Sequence, residues 1–130
     1  MSWEDHTNEL VATQKLCGAL IVGKEDGVVY AQSGTPSASE SEAAEVQKFV
    51  AGGCQGSSVV IGGQKYMLVN YRDDVETAYF VCKQGGLCIG GTKTLYVVGV
   101  WSEKVNEKQN APDCNLVIEK KMEEFGESDY

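Results

Sequence analysis

The sequence contains one histidine, His6, and that scarcity closes most routes to catalysis. A Ser or Cys nucleophile usually needs a neighbouring base, most often His, and nothing in the sequence pairs His6 with one. No G-x-S-x-G, no phosphate-binding glycine loop and no H-E-x-x-H occurs. The five cysteines, Cys17, Cys54, Cys82, Cys88 and Cys114, include no C-x-x-C pair. Their spacing and the lone histidine argue against zinc, so no metal site is expected. No apolar run approaches the roughly 20 residues of a membrane span. The start, Met1-Ser2-Trp3-Glu4-Asp5, has neither a basic leader nor an apolar segment, so no secretory signal is expected. A reducing compartment then fits best, with the thiols serving as small buried apolar groups. Cations are also scarce. Lys and Arg total 11 against 19 Asp and Glu, a net charge of -8 that repels nucleic acid and anionic lipid.

The 130 residues fit one domain, 1–130, that buries a sizeable core. Ser2 and Asp5 form a capping box for a helix from about Ser2 to Ala12, with Trp3, Thr7, Leu10 and Val11 on one face. Leu16–Gly23 reads as a buried strand. Lys24-Glu25-Asp26-Gly27 is a turn, and Val28–Ala31 the antiparallel return. Ser33–Ser41 reads as a loop. Ser39 and Glu42 cap a second helix with Ala43, Val46, Phe49 and Val50 on one face, ended by Gly52-Gly53. Ser58–Ile61 and Gln64–Tyr71 flank Gly62-Gly63 as a hairpin. Thr77–Lys83 and Leu87–Gly91 flank Gln84-Gly85-Gly86, read as hairpin glycines, and place Cys82 and Cys88 as candidate cross-strand neighbours. Leu95–Trp101 is a further strand. Asp113 reads as the cap of a last helix with Cys114, Val117, Ile118, Met122 and Phe125 on its core face. Successive tight hairpins require antiparallel pairing. The expected class is α+β, a central antiparallel sheet of about 6–7 strands covered by helices.

The aromatic residues stand at the ends. Trp3 lies near the N-terminus and Tyr130 is the last residue. If the terminal helices are neighbours, Trp3, His6, Phe125 and Tyr130 share an exposed patch that Tyr30 completes. Flat rings with polar tips suit polyproline II ligands, stacking on proline rings and hydrogen-bonding free carbonyls. Spacing alone serves equally well for a Trp3 that staples its helix to the sheet. A sensor or trafficking-adaptor module of similar architecture, and a small thiol enzyme with a depressed cysteine pKa, remain open alternatives.

Several segments resemble one family. Met1-Ser2-Trp3 opening a helix is similar to the profilin start. Gly27-Val28-Val29-Tyr30-Ala31-Gln32-Ser33 resembles a profilin segment that usually has Trp at position 30. Lys83-Gln84-Gly85-Gly86 with Lys93-Thr94 resembles the family's basic, glycine-rich hairpin. Gly99–Val105 resembles a strand where Tyr usually replaces Trp101. Cys114–Glu119 resembles the start of the C-terminal helix in plant-like members. The match keeps its order over nearly the whole chain.

The resemblance implies both terminal helices on one face of the sheet and a further helix on the other. It implies an actin-monomer-binding protein of the cytoplasm and cytoskeleton, not an enzyme, without cofactor and monomeric. Such a protein regulates actin polymerisation and nucleotide exchange and binds proline-rich partners such as formin-type filament-building factors. Phosphoinositides enter as a weak third partner, with the acidic balance against them. The implied polyproline-binding residues are Trp3, His6, Tyr30, Phe125 and Tyr130. His6 replaces a usual Tyr, and Glu124 lies where an aromatic or His is common. The implied actin-binding residues are Tyr71, Arg72, Lys83, Lys93, Asn115, Glu119 and Lys120. Gln84 and Thr92 occupy positions where many members carry Lys.

Overall fold

A computed structural model describes residues 2–130. Three helices and seven strands follow in the order α1 (Trp3–Ala12), β1 (Gly18–Gly23), β2 (Val29–Gly34), α2 (Glu40–Ala51), β3 (Ser58–Ile61), β4 (Gln64–Arg72), β5 (Thr77–Cys82), β6 (Gly85–Gly91), β7 (Leu95–Ser102) and α3 (Ala111–Glu127). The strands form one antiparallel sheet in the order β2-β1-β7-β6-β5-β4-β3. This is the expected α+β class. Among the described residues no helix is long and apolar enough to cross a membrane.

Local chemistry sets most boundaries. The Ser2 and Ser39 hydroxyls accept from the Asp5 and Glu42 amides, and each carboxylate accepts from its serine's amide in return. Those backbone bonds hold both carboxyls below their ordinary values. The third cap differs from expectation. Asn110, not Asp113, caps α3, because its Oδ1 accepts from the Asp113 amide at 2.9 Å and Pro112 suits the first turn. Strand β2 runs on to Gly34, into the segment read as loop. Its partner β1 supplies the register from Gly18 to Val22.

The β5–β6 turn is Lys83-Gln84, so Gly85 and Gly86 are strand residues rather than hairpin glycines. The need for glycine at the helix-facing positions of β6 and β7 comes from packing. A Cβ on Gly90 would meet the Met122 sulfur, and one on Gly99 would lie 2.7 Å from Ile118 Cδ1. α3 therefore rests directly on the backbone of these strands. Cys82 and Cys88 are not neighbours: Cys82 pairs with Gly85 and Cys88 with Tyr79. The parity between them sends Cys82 toward the α2 side and Cys88 toward the α3 side.

Two cores result. Val46 and Val50 of α2 pack with Leu20, Val22, Phe80, Leu87, Ile89 and Val98 on one face. Leu10 of α1 and Cys114, Ile118 and Phe125 of α3 pack with Ile21, Cys88 and Val97 on the other. α1 rests on β1 and β2, and α3 on β6 and β7. The α3-side face of β3 and β4 is left uncovered, and that of β5 is covered only at Thr77, which is buried, and Tyr79, which packs against the α3-side core. Val60, Met67, Val69 and Val81 stand exposed there, with Val69 at the irregularity between Leu68 and Asn70.

Four cysteines are buried and Cys82 is half-buried, and all five are free. Burial pushes the Cys114 thiol from 9.0 to about 12 and the Tyr66 and Tyr96 phenols from 10.0 to about 12. Cys88 shifts the same way. The fold favours the neutral forms, so unfolding above pH 9.0 releases protons that the native state retains. These groups add no pH dependence below pH 9.0, and stability is expected to fall between there and about pH 12. Urea midpoints measured across that range check this; a midpoint that rises with pH would contradict it.

Candidate functional site

The first turn of α1 brings Trp3 and His6 to one end of the sheet, beside Tyr30 of β2 and the end of α3. Trp3 is the hub. Its ring centroid lies 4.8 Å from Tyr130, 5.8 Å from Phe125, 5.9 Å from Tyr30 and 6.0 Å from His6. All five expected residues thus come together. Tyr30 and Tyr130 are 41% and 42% exposed, and Trp3 and His6 are half-buried. Phe125 departs from the expectation of an exposed patch. At 1% exposure it forms the floor, its ring centroid 4.8 Å from that of His6 and 6.3 Å from that of Tyr130, both in edge-on geometry. It sits on the buried stripe of α3 with Cys114 and Ile118, so the core claims it.

Tyr130 is held by its main chain. Its amide donates to the Phe125 carbonyl at 2.8 Å. Its carbonyl oxygen accepts from the Thr94 amide at 2.7 Å and from the Thr92 and Thr94 hydroxyls at 2.9 Å each. Lys93 pairs with Asp129 at 3.1 Å. The β6–β7 turn therefore fixes the tail that carries the ring. Thr92 is 9% exposed and serves this clamp rather than presenting a surface position. Nothing local to Thr92-Lys93-Thr94 forecasts a bond to a residue 36 positions away.

A second unforeseen element is Lys121, 3% exposed. Its ammonium donates to Glu9 Oε1 at 3.0 Å, pairs with Glu124 Oε2 at 2.7 Å and lies 3.4 Å from His6 Nδ1. A signal existed: positions 114, 118, 121 and 125 repeat the helical core spacing with Lys in the stripe. Glu124 thus pairs with this lysine. The donor atoms of His6, Glu9 and Glu124 lie within 4.8 Å of one another, the reach of a divalent ion. The Lys121 ammonium already stands among them as the resident cation.

The residues expected to form an actin surface do not form one patch. Tyr71 packs against the α2-side core, whereas Arg72, paired with Thr77, points to the α3 side. Glu119 accepts from the Tyr79 hydroxyl at 3.3 Å, and Asn115 lies one turn earlier on the same helix face. Lys120 faces α1 beside Glu9 and Leu10. Lys83 and Lys93 occupy turns at opposite ends of β6, roughly 20 Å apart for a seven-residue strand. Arg72 at the end of β4, and Asn115 and Glu119 on the face of α3 that reaches Tyr79 of β5, lie on the same side of the sheet as the apolar strip of Val60, Met67, Val69 and Val81. No sequence pattern marked that strip, because alternation alone does not say which face of a strand a helix will cover.

Burial raises the Cys17, Cys54, Cys88 and Cys114 thiols, the reverse of what a nucleophile requires.

Comparison with known proteins agrees with this fold. Profilin-1 of Entamoeba histolytica is 36% identical over 116 residues, 85% of this chain and 88% of that protein. Among solved structures, Acanthamoeba castellanii profilin II superposes with a TM-score of 0.84 at 22% identity, covering 99% of this chain and 100% of that one. A LokiProfilin1–rabbit actin complex matches at 0.70 and 19% identity, covering 90% of this chain and 88% of that one. Mouse profilin IIa in complex with a double repeat from the FH1 domain of mDia1 matches at 0.62 and 15%, covering 95% and 99%. At such identities the superpositions speak for the fold alone. The sequence model of the Profilin family matches residues 1–130, and the chain belongs to that family.

Proposed function

We propose that this profilin binds monomeric actin through the exposed apolar strip on the α3 side of β3–β5 and proline-rich segments through the aromatic trough. The trough carries the reading: four partly exposed rings over a buried fifth, at the meeting point of both terminal helices. Polyproline II has no internal hydrogen bonds and is already extended, so it loses little entropy on docking. Proline rings stack on Trp3, Tyr30 and Tyr130, while polar ring edges meet the ligand's carbonyls. The LokiProfilin1–actin and profilin IIa–FH1 complexes supply the two ligand classes by likeness.

On the actin side, an apolar centre of Val60, Met67, Val69 and Val81 would exclude water. Arg72, Asn115 and Glu119 would form the polar rim that sets orientation. Of the remaining expected residues, Lys83 and Lys120 stand outside this rim, Lys93 is engaged with Asp129, and Tyr71 serves the other core. The strip lies on β3–β5 and the trough beside β2, so several strands, on the order of 20 Å, separate them. Both ligands can then bind together. Holding the monomer would block one growing end and speed nucleotide exchange, and a filament-building factor with proline repeats would deliver the complex to a filament.

Actin polymerisation followed with and without a proline-rich peptide tests the pair of sites. Val81→Asp places a charge in the strip, beside Met67 on the neighbouring strand, at an already exposed position, so the fold should tolerate it. Actin affinity is expected to fall about 10-fold or more, with retention on polyproline resin unchanged. Undiminished inhibition of polymerisation by this variant would remove the strip from the actin site.

A further inference from the structure

Charge is unevenly spread. Residues 2–12 carry three carboxylates and no Lys or Arg, and residues 119–130 carry five against two lysines. These two stretches hold six of the chain's eight net negative charges. They are also the segments that build the trough.

The imbalance is sharpest beside His6. There one ammonium, that of Lys121, faces the two carboxylates of Glu9 and Glu124. Each carboxylate meets Lys121 through one oxygen, Oε1 of Glu9 and Oε2 of Glu124. The side chains remain 52% and 45% exposed, so both carboxylates are open to a ligand. The pair adjoins His6, which stacks edge-on to Phe125 and lies 6.0 Å from Trp3.

We propose that the proline-rich ligand of this trough carries a basic residue next to its prolines, arginine above all, and that Glu9 and Glu124 receive it. A planar guanidinium can reach two carboxylates at once, which a compact ammonium does less well. Lys121 is the positioning residue: it holds the two carboxylates together without neutralising both. This rests on the trough being the proline site, and it narrows the ligand from any proline run to a basic-flanked one.

Isothermal titration of the full chain separates the two ideas. Three capped peptides serve as probes: a proline decamer, the same decamer with Arg at each end, and the same with Glu at each end. The Arg-flanked peptide is expected to bind about 5- to 10-fold more tightly than the plain one at low salt, and the Glu-flanked one more weakly. The spread should shrink toward unity at roughly 0.5 M salt. In Glu9→Gln and in Glu124→Gln, the Arg-to-plain ratio should drop toward 1. Equal affinities for plain and Arg-flanked peptides in the unmodified protein would overturn the inference while leaving the trough intact. So would a preference that survives both substitutions. Failure of all three peptides to bind would remove the trough and this inference together. The salt series on the unmodified protein stands even if a variant fails to fold.

Discussion

Phe125→Ala is expected to cost about 3–5 kcal/mol of folding stability, more than any other change at the trough. The ring is 1% exposed and belongs to the core formed with Leu10, Ile118 and Cys114. Truncation loses its transfer free energy and leaves a cavity that α1, α3 and the sheet cannot close, since each is pinned elsewhere. Edge contacts to His6, Trp3 and Tyr130 go with it, each worth about 0.5–1.5 kcal/mol beyond area. So does the Lys121 ammonium 5.7 Å over the ring. Urea unfolding reads this as a lower midpoint at unchanged slope. A loss below about 1 kcal/mol would place Phe125 at the surface and return it to direct ligand stacking. Loss of proline binding in this variant is secondary, because Trp3, His6 and Tyr130 all rest on the missing floor.

Trp3→Ala should give the opposite balance: a large loss of proline binding with the fold retained. Trp3 is half-buried, touches four rings and sits at the centre of the trough, where binding energy concentrates. A central aromatic of this kind contributes about 2–4 kcal/mol, a loss of roughly 30- to 1,000-fold in affinity. The capping box of Ser2 and Asp5 uses no atom of the indole, so α1 still starts in place. Retention on polyproline resin and titration calorimetry read the loss, and circular dichroism checks the fold. Affinity within about threefold of the unmodified protein would show that Trp3 only staples α1 to the sheet, the reading that spacing left equally open.

The correspondence between sequence and structure follows the range of the interactions. Ser2–Asp5 and Ser39–Glu42 were readable because a cap is complete within four residues. Gly62-Gly63, both at positive φ, was readable because a two-residue turn is local. Asn110 was missed for a related reason: Asn110 and Asp113 both suit a cap, and only the approach of the preceding chain chooses. Gly85 and Gly86 were misplaced because a glycine looks the same whether a turn or a packed neighbour requires it.

The site divides in the same way. Helix periodicity and the resemblance already assembled Trp3, His6, Tyr30, Phe125 and Tyr130. Which ring is floor and which is wall depended on how deep α3 lies, set by Gly90 and Gly99 admitting Met122 and Ile118. Element type, order, caps and the family itself are written in neighbours a few residues apart, where chain connectivity makes contact almost free of entropic cost. The Thr92–Tyr130 clamp, the Lys121 cluster and the bare strip on β3–β5 join or expose residues that approach only once the sheet has closed beneath its helices. Their pairing energies are spent against large loops, and no local pattern records them.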